Sequence, residues 1–432
     1  MERFLYNNLL SWKHGNRRKP LLLQGARQVG KTFLVNQFGK NEYENFIYLN
    51  FEQSPDLALL FKKDLSPQKI IENISLYFGR KISSIDTLLF FDEIQTVPQV
   101  LTSLKYFCEQ APDYHIIAAG SLLGVSFGKE ISFPVGKVNF MTLYPMTFSE
   151  YLLAVGEHII VENLLNQKQK ELIPEPIHNK LLRHLKMYMF LGGMPEVLQN
   201  YLEHKNIETV REIQNEILEA YKRDFSKYTD KNQAIKTSEV WGSIPYQLAK
   251  ENKKFKFAEV RANSRASSYE QTIEWLSKAG LINIAFNISV PKLPLSGYTD
   301  YSKFKIYMLD TGLLGAMLNI SSGIILEPTD LFTEYNGAFT ENFVSTELVA
   351  SGFDKLFYWR SKSEAEVDFI IQREESIYPI EVKSGLDRSI KSLRSYADKY
   401  KPKLMYRLSP RNFIQSDNFL NIPLYAVNSL LY

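Results

Sequence analysis

A chain of 432 residues is too long for one comfortable hydrophobic core, and at about 150 residues per domain it predicts two to four domains. Its 45% hydrophobic and 23% charged residues match a soluble globular protein, which excludes a disordered or fibrous chain. A net charge of +3 neither demands nor excludes a nucleic-acid partner, because a basic face can sit inside a balanced total. Cys108 is the only cysteine, so no intrachain disulfide is expected, and the six histidines show no metal-ligand spacing, so neither is a zinc site. The first residues lack the apolar core of a signal peptide, and no stretch approaches the roughly 18 apolar residues of a membrane span. The expected setting is the cytoplasm, without a membrane partner.

The first chemical feature follows the short apolar segment Pro20-Leu21-Leu22-Leu23, which reads as a buried strand. Gly25-Ala26-Arg27-Gln28-Val29-Gly30-Lys31-Thr32 comes next, and Phe33 to Phe38 reads as the opening of a helix. Strand, glycine loop and helix in that order form a phosphate-binding loop. Gly25 and Gly30 permit backbone angles and close approach that side chains would block, so successive N–H groups can face phosphate oxygens. Lys31 is expected to reach the β- and γ-phosphates and Thr32 to hold Mg²⁺, while the helix N-terminus adds a favourable dipole.

Downstream, Ile47 to Phe51 supplies another strand, and Thr87 to Gln95 is an apolar run that delivers Asp92 and Glu93 at its C-terminal edge. Asp92 is expected to hold Mg²⁺ through water, and Glu93 to polarise the water that attacks the γ-phosphate. Tyr114 to Ala119 reads as a further strand ending at Gly120-Ser121. Ser121 is expected either to sense hydrolysis beside the γ-phosphate or to cap the next helix. Helical stretches at Pro67 to Tyr77 and Val100 to Glu109 alternate with these strands, which predicts an α/β fold with a doubly wound parallel sheet. The guanine-reading tetrapeptide Asn-Lys-x-Asp is absent, which favours ATP over GTP.

From Glu150 to Lys236 apolar residues recur at helical intervals around Leu181, Leu185, Tyr188 and Met189, and again around Ile213, Ile217 and Tyr221, as in a helical lid or connector. Gly192-Gly193-Met194-Pro195 interrupts it as a hinge or an interhelical turn. Between Lys236 and Val290 three helices (Val240 to Lys250, Phe257 to Ala262, Ser267 to Lys278) precede a strand, Leu281 to Phe286, in the outline of a winged helix. Arg261, Arg265, Ser267, Ser268, Tyr269 and Gln271 would begin its recognition helix, with side chains suited to DNA phosphates and base edges. Packing against another domain is the alternative role for such a unit.

Glu341 lies in a helical pattern from Gly337 to Leu348, followed by three strand patterns: Phe357 to Arg360, Glu366 to Ile371 with Asp368, and Tyr378 to Lys383. The two-residue period of the last places Glu381, thirteen residues beyond Asp368, and Lys383 on one face. A structural ion pair is the alternative reading of Glu381 and Lys383, as a packed corner is of Trp359-Arg360. Arg360, Lys362, Arg388, Lys391 and Arg394 flank this region and suit a polyanion or a solvated surface. The tail from Tyr400 is expected to complete the sheet.

Gly25 to Thr32, Leu89 to Gln95, Ala119-Gly120-Ser121, Tyr144 to Leu152, Gly192-Gly193-Met194-Pro195-Glu196, Tyr307 to Leu314 and the blocks around Glu341 and Glu381 together resemble the AAA-like ATPases of bacteria and archaea. These carry an uncharacterised C-terminal domain related to restriction endonucleases. The resemblance covers most of the chain, and with the patterns above it gives four expected regions: a P-loop ATPase domain over 1–150, a helical lid over 151–236, a winged-helix-like region over 237–300 and a nuclease-like domain over 301–432. Relatives show Gly-Arg where this chain has Gly136-Lys137. If that arginine acts as a finger on the γ-phosphate, Lys137 lacks the planar fork to replace it, and hydrolysis should be slow or use another arginine.

The helix, the three strands and the set Glu341, Asp368, Glu381 and Lys383 resemble the PD-(D/E)xK nuclease core. That resemblance implies Mg²⁺ on the three carboxylates, activating water at a scissile phosphate, and Lys383 orienting the nucleophile or stabilising the transition state. The combined expectation is an ATPase regulating a nuclease-like, DNA-associated domain. An ATP-controlled scaffold that does not cleave is the second reading and a small-molecule kinase the third. A homo-oligomer is left open.

Overall fold

The computed structural model describes residues 1–120, 136–166, 171–250, 253–320, 330–361, 365–387 and 389–431. Ser121, Lys362 and Arg388 lie outside the described residues. Two compact units emerge, Met1–Tyr144 with Lys278–Gly280, and Pro145–Ser277 with Leu281–Tyr432.

The first unit is built on five parallel strands, β1 (Leu21–Gln24), β2 (Asn45–Asn50), β3 (Thr87–Asp92), β4 (His115–Ala119) and β5 (Asn139–Thr142), in the order β2-β3-β4-β1-β5. β3 and β4 are buried along their whole length, as central strands covered on both faces must be. Alternation sorts their side chains. Leu22, Ile47, Leu49, Leu89, Phe91, Ile116 and Ala118 form one core with Ile70, Ile74, Val100, Leu104 and Phe107 of the helices Pro67–Phe78 and Pro98–Gln110. The other face receives the helix Lys31–Glu42. There a Cβ on Gly39 would come within 2.3 Å of the Phe46 ring, so only glycine lets helix and strand approach. The α/β doubly wound sheet read from the sequence is therefore the architecture of this unit.

The second unit combines helices with an eight-stranded mixed sheet. Its strands are β6 (Ile282–Ile288), β7 (Thr299–Met308), β8 (Leu356–Arg360), β9 (Glu366–Arg373), β10 (Ser376–Val382), β11 (Met405–Ser409), β12 (Ile414–Ser416) and β13 (Phe419–Pro423), in the order β12-β13-β11-β10-β9-β8-β6-β7. β8, β9 and β10 form an antiparallel meander, and β11 joins β10 in parallel through the helix Lys391–Tyr400. Leu393 and Tyr396 of that helix pack on Trp359, Val367 and Ile370 of the sheet. The tail thus completes the sheet as expected.

Two details differ from the sequence reading. The helix expected to start near Val240 begins at Lys231, where Asp230 caps it by accepting from the Gln233 N–H. The strand expected beside the winged-helix pattern is an interior strand: β6 pairs antiparallel with β7 and parallel with β8, so the hairpin is part of the eight-stranded sheet and not a free wing.

Candidate functional site

In the first unit the loop after β1 wraps the start of the helix Lys31–Glu42. Gln28 and Gly30 take left-handed φ values of 64° and 94°, which turn consecutive N–H groups inward. Gly25 is required for a second reason, since a Cβ there would fall 2.2 Å from the Leu143 carbonyl oxygen. Ala26 and Val29 are buried, whereas Arg27 leans toward Glu52, with Nη2 3.7 Å from its carboxylate. Lys31 Nζ lies over the loop, donating to the carbonyls of Gly25 at 2.9 Å and Ala26 at 2.8 Å. Burial lowers its pKa to about 8, while the nearby Glu93 and Asp92 act in the opposite direction.

β3 delivers the acids. The Thr32 hydroxyl donates to Asp92 Oδ2 at 2.8 Å, the Tyr48 hydroxyl donates to the same oxygen at 3.1 Å, and Asp92 Oδ1 accepts from the Glu93 N–H. Burial raises the Asp92 pKa, against the hydrogen bond from Thr32. Glu93 sits at φ 55°, and its carboxylate accepts from the Gln95 side-chain amide. The other end of that amide, Oε1, is buried without a hydrogen-bond partner 2.5 Å from where a Cβ on Gly120 would stand. Gly120, at the end of β4, is what makes room for the tether on Glu93. The hard oxygens of Thr32 and Asp92, 2.8 Å apart beside a phosphate-type loop, fit a Mg²⁺ ion.

Three residues passed over in the sequence support this constellation: Arg3, Tyr48 and Gln95. Buried Arg3 donates from Nη1 to the Val29 carbonyl at 2.8 Å and from Nη2 to the Tyr144 carbonyl at 2.5 Å, bracing the loop from behind. Only Gln95 could have been suspected, from its place two residues past Glu93.

Lys137 does not reach this region within its own domain. β5 runs parallel to β1 with Asn139 opposite Leu21, so Lys137 lies at the edge where strands begin, whereas the loop follows the edge where they end. Five residues of strand separate the two edges, on the order of 16 Å. Lys137 instead pairs with Glu109 at 2.9 Å.

The second unit brings Glu341, Asp368, Glu381 and Lys383 to one cleft of about 280 Å³, also lined by Lys253, Glu366, Ser384 and Ser392. Lysines already pair with its carboxylates. Lys305 on β7 is 1% exposed, with Nζ 2.5 Å from Glu366, 3.5 Å from Glu341 and 3.8 Å from Asp368. Lys253 pairs with Glu341 Oε1, while Glu341 Oε2, the oxygen nearer Lys305, accepts from the Tyr307 hydroxyl at 3.0 Å. Asp368 Oδ2 accepts from the Val382 N–H, and Lys383 pairs with Glu381 at 3.0 Å. Burial would raise the Glu341 pKa, but the ammonium groups of Lys253 and Lys305 hold it low; Asp368 is pushed up by burial and by Glu341 beside it. Among the described residues no three His, Cys, Asp or Glu side chains converge to hold a metal ion. Glu341, Asp368 and Glu381, as placed, do not fit the Mg²⁺ role that the nuclease resemblance implied.

In the winged-helix-like segment, Arg261 and Arg265 are exposed, as are Ser267 and Ser268. Tyr269 is not available to bases: it is buried, stacks on Phe257 and donates to Glu239 at 2.6 Å.

Three family descriptions match separate parts of the chain. The family described as an AAA domain matches residues 17–152, and two families described as domains of unknown function, DUF8612 and DUF4143, match residues 182–323 and 336–426. An uncharacterised protein of Mycobacterium tuberculosis is 37% identical over 93 residues, 21% of this chain and 20% of the relative, so the match spans about a fifth of that relative's length. Among solved structures, the Walker-type ATPase of Pyrococcus abyssi is 13% identical with a TM-score of 0.43, covering 73% of this chain and 95% of that one. The Aeropyrum pernix ORC1 protein, solved in complex with DNA, is 14% identical with a TM-score of 0.27, covering 73% and 90%. No described helix is long and apolar enough to cross a membrane.

Proposed function

We propose that this chain is a Mg²⁺-dependent ATPase whose nucleotide state governs a nuclease-like, DNA-associated second unit. The observation that carries the reading is the joining of Lys31, the Thr32–Asp92 pair and the tethered Glu93 at the C-terminal edge of one parallel sheet, in the segment that matches an AAA domain. The loop N–H groups and Lys31 bind the β- and γ-phosphates. Mg²⁺ on Thr32 and Asp92 offsets phosphate charge when bound. Glu93, aimed by Gln95, orients and polarises a water on the γ-phosphorus and takes its proton.

Two substitutions test this. Lys31→Ala should abolish ATP binding, while Glu93→Gln should retain binding and slow turnover by about 10²-fold or more, the scale of a lost general base. Full turnover in both variants would sink the proposal.

For the second unit we favour association without cleavage, because lysines already neutralise the carboxylates that a metal would need. Exposed Arg261 and Arg265 suit DNA phosphates. Plasmid nicking with Mg²⁺ or Mn²⁺ that Asp368→Ala stops would restore the cleavage reading. Absence of DNA binding even at low salt, where phosphate contacts are strongest, would remove DNA as the partner.

A further inference from the structure

Lys305 is the most deeply buried cation described in the second unit, and no motif in the sequence singles it out. It sits inside the candidate nuclease set. β7 carries it in antiparallel register opposite Ala285, and the helix bearing Glu341 and the strand bearing Glu366 and Asp368 bring their carboxylates to its ammonium group. Its Nζ finds no partner of hydrogen-bond geometry, so the three carboxylates hold it by charge alone, as oxygen ligands hold a metal ion. The face of Tyr358 lies 5.1 Å from Nζ and closes another side. A buried carboxylate cluster needs a counter-cation, because desolvated like charges repel strongly.

We infer that Lys305 is a built-in counter-ion standing where a divalent cation would have to sit, so that this cleft keeps its shape and engages its partner without metal. The inference deepens the nuclease-like reading of the second unit and rests on it. Four carboxylates, Glu341, Glu366, Asp368 and Glu381, face four cations, Lys253, Lys305, Arg360 and Lys383, in the paired network. A network whose formal charges cancel offers little to attract a divalent ion. Removing the Lys305 charge should convert the cluster into a metal site, since three hard carboxylates would be left around one buried point.

The test uses the full chain carrying Lys31→Ala, without nucleotide, so that the phosphate loop contributes no metal binding, and Mn²⁺ as the probe. Calorimetric titration of this parent should show no Mn²⁺ site that depends on Glu341 or Asp368. Adding Lys305→Met should lower the thermal unfolding midpoint and create one Mn²⁺ site per chain, at least about tenfold tighter than any the parent shows. Mn²⁺ should restore the midpoint, and further addition of Asp368→Asn should abolish the new site. Should Lys305→Met not fold, Lys305→Arg, which keeps the charge, should fold and remain blind to Mn²⁺. A parent that binds one Mn²⁺ lost on Glu341→Gln or Asp368→Asn overturns the inference, as does a folded Lys305→Met chain that gains no Mn²⁺ site, whatever its stability. These readouts do not depend on DNA, so failure of the nuclease-like reading, seen as loss of DNA binding, remains separable.

Discussion

At the residue scale the phosphate loop depends on contacts that lie far away in the chain. Arg3 lies 26 positions from Val29, yet it saturates the carbonyl just before Gly30 from a buried position. Arg3→Ala leaves that oxygen unpaired, at about 1–3 kcal/mol. ATP affinity should fall roughly tenfold by equilibrium binding, with Arg3→Lys restoring part of it. Lys31 gives a second handle. Its pKa of about 8 means that above this pH binding must draw a proton from solution, because the phosphate-bound form requires the ammonium. ATP affinity should be flat below pH 8 and fall above it, by up to about tenfold per pH unit, and isothermal titration across pH 7 to 9.5 would measure this. Lys31 and Thr32 were legible because spacing along one strand–loop–helix unit encodes them, and Asp92 and Glu93 because they end an apolar strand run. Arg3 and Tyr48 were not, because a side chain aimed at a distant carbonyl or carboxylate leaves no periodic trace.

Among the elements, segments around Thr147, Gly193 and Asp310 find a structural reason in the second unit. Thr147-Phe148-Ser149-Glu150 is a capping box: the Thr147 hydroxyl accepts from the Glu150 N–H, and the Glu150 carboxylate accepts from the Thr147 N–H. Its spacing was there to be read. Thr147→Ala should cost about 1 kcal/mol in urea unfolding. The Gly192-Gly193 break, read as a hinge or a turn, is a buried junction. The Met146 N–H donates to the Gly193 carbonyl at 2.7 Å, and Asp310 accepts from the Gly193 N–H at 2.6 Å. A Cβ on Gly193 would stand 2.1 Å from the Met146 oxygen, and one on Gly192 2.2 Å from Asp310. Gly193→Ala should therefore destabilise far more than Thr147→Ala, by about 2 kcal/mol or more, in the same experiment. Three separate sequence blocks, around Met146, Gly193 and Asp310, prove to be one packing site, which no local pattern could announce.

At the scale of the whole molecule, buried acids set the pH response. Glu347 has its pKa raised to about 8 by burial, partly opposed by the hydrogen bond it accepts from the Phe148 N–H, and burial likewise raises Asp310 to about 6. An acid that holds its proton more tightly folded than unfolded contributes stability that is present at low pH and lost as pH rises through the folded pKa. Stability should decline between pH 5 and pH 8, by roughly 1–3 kcal/mol. Glu347→Gln, which keeps an acceptor for Phe148 and cannot ionise, should flatten that decline. Differential scanning calorimetry from pH 5 to 8.5 distinguishes the two slopes, and an unchanged slope in the variant would refute the assignment.

The sequence alone determined the strand, glycine loop and acid-bearing strand of the first unit, because these are written as short apolar runs with glycines and carboxylates at fixed offsets. It also determined the helix and the strands that carry Glu341, Asp368 and Glu381, with Lys383 just past the end of β10 at Val382. Only the tertiary structure decided what surrounds those four. The parallel pairing of β6 with β8 joins segments about seventy residues apart, and with it comes β7 and the ammonium of Lys305. Charge compensation in a buried cleft is a property of the assembled sheet, where low dielectric makes each neighbour decisive, and a strand pattern carries no sign of which charge its fold will bring beside another.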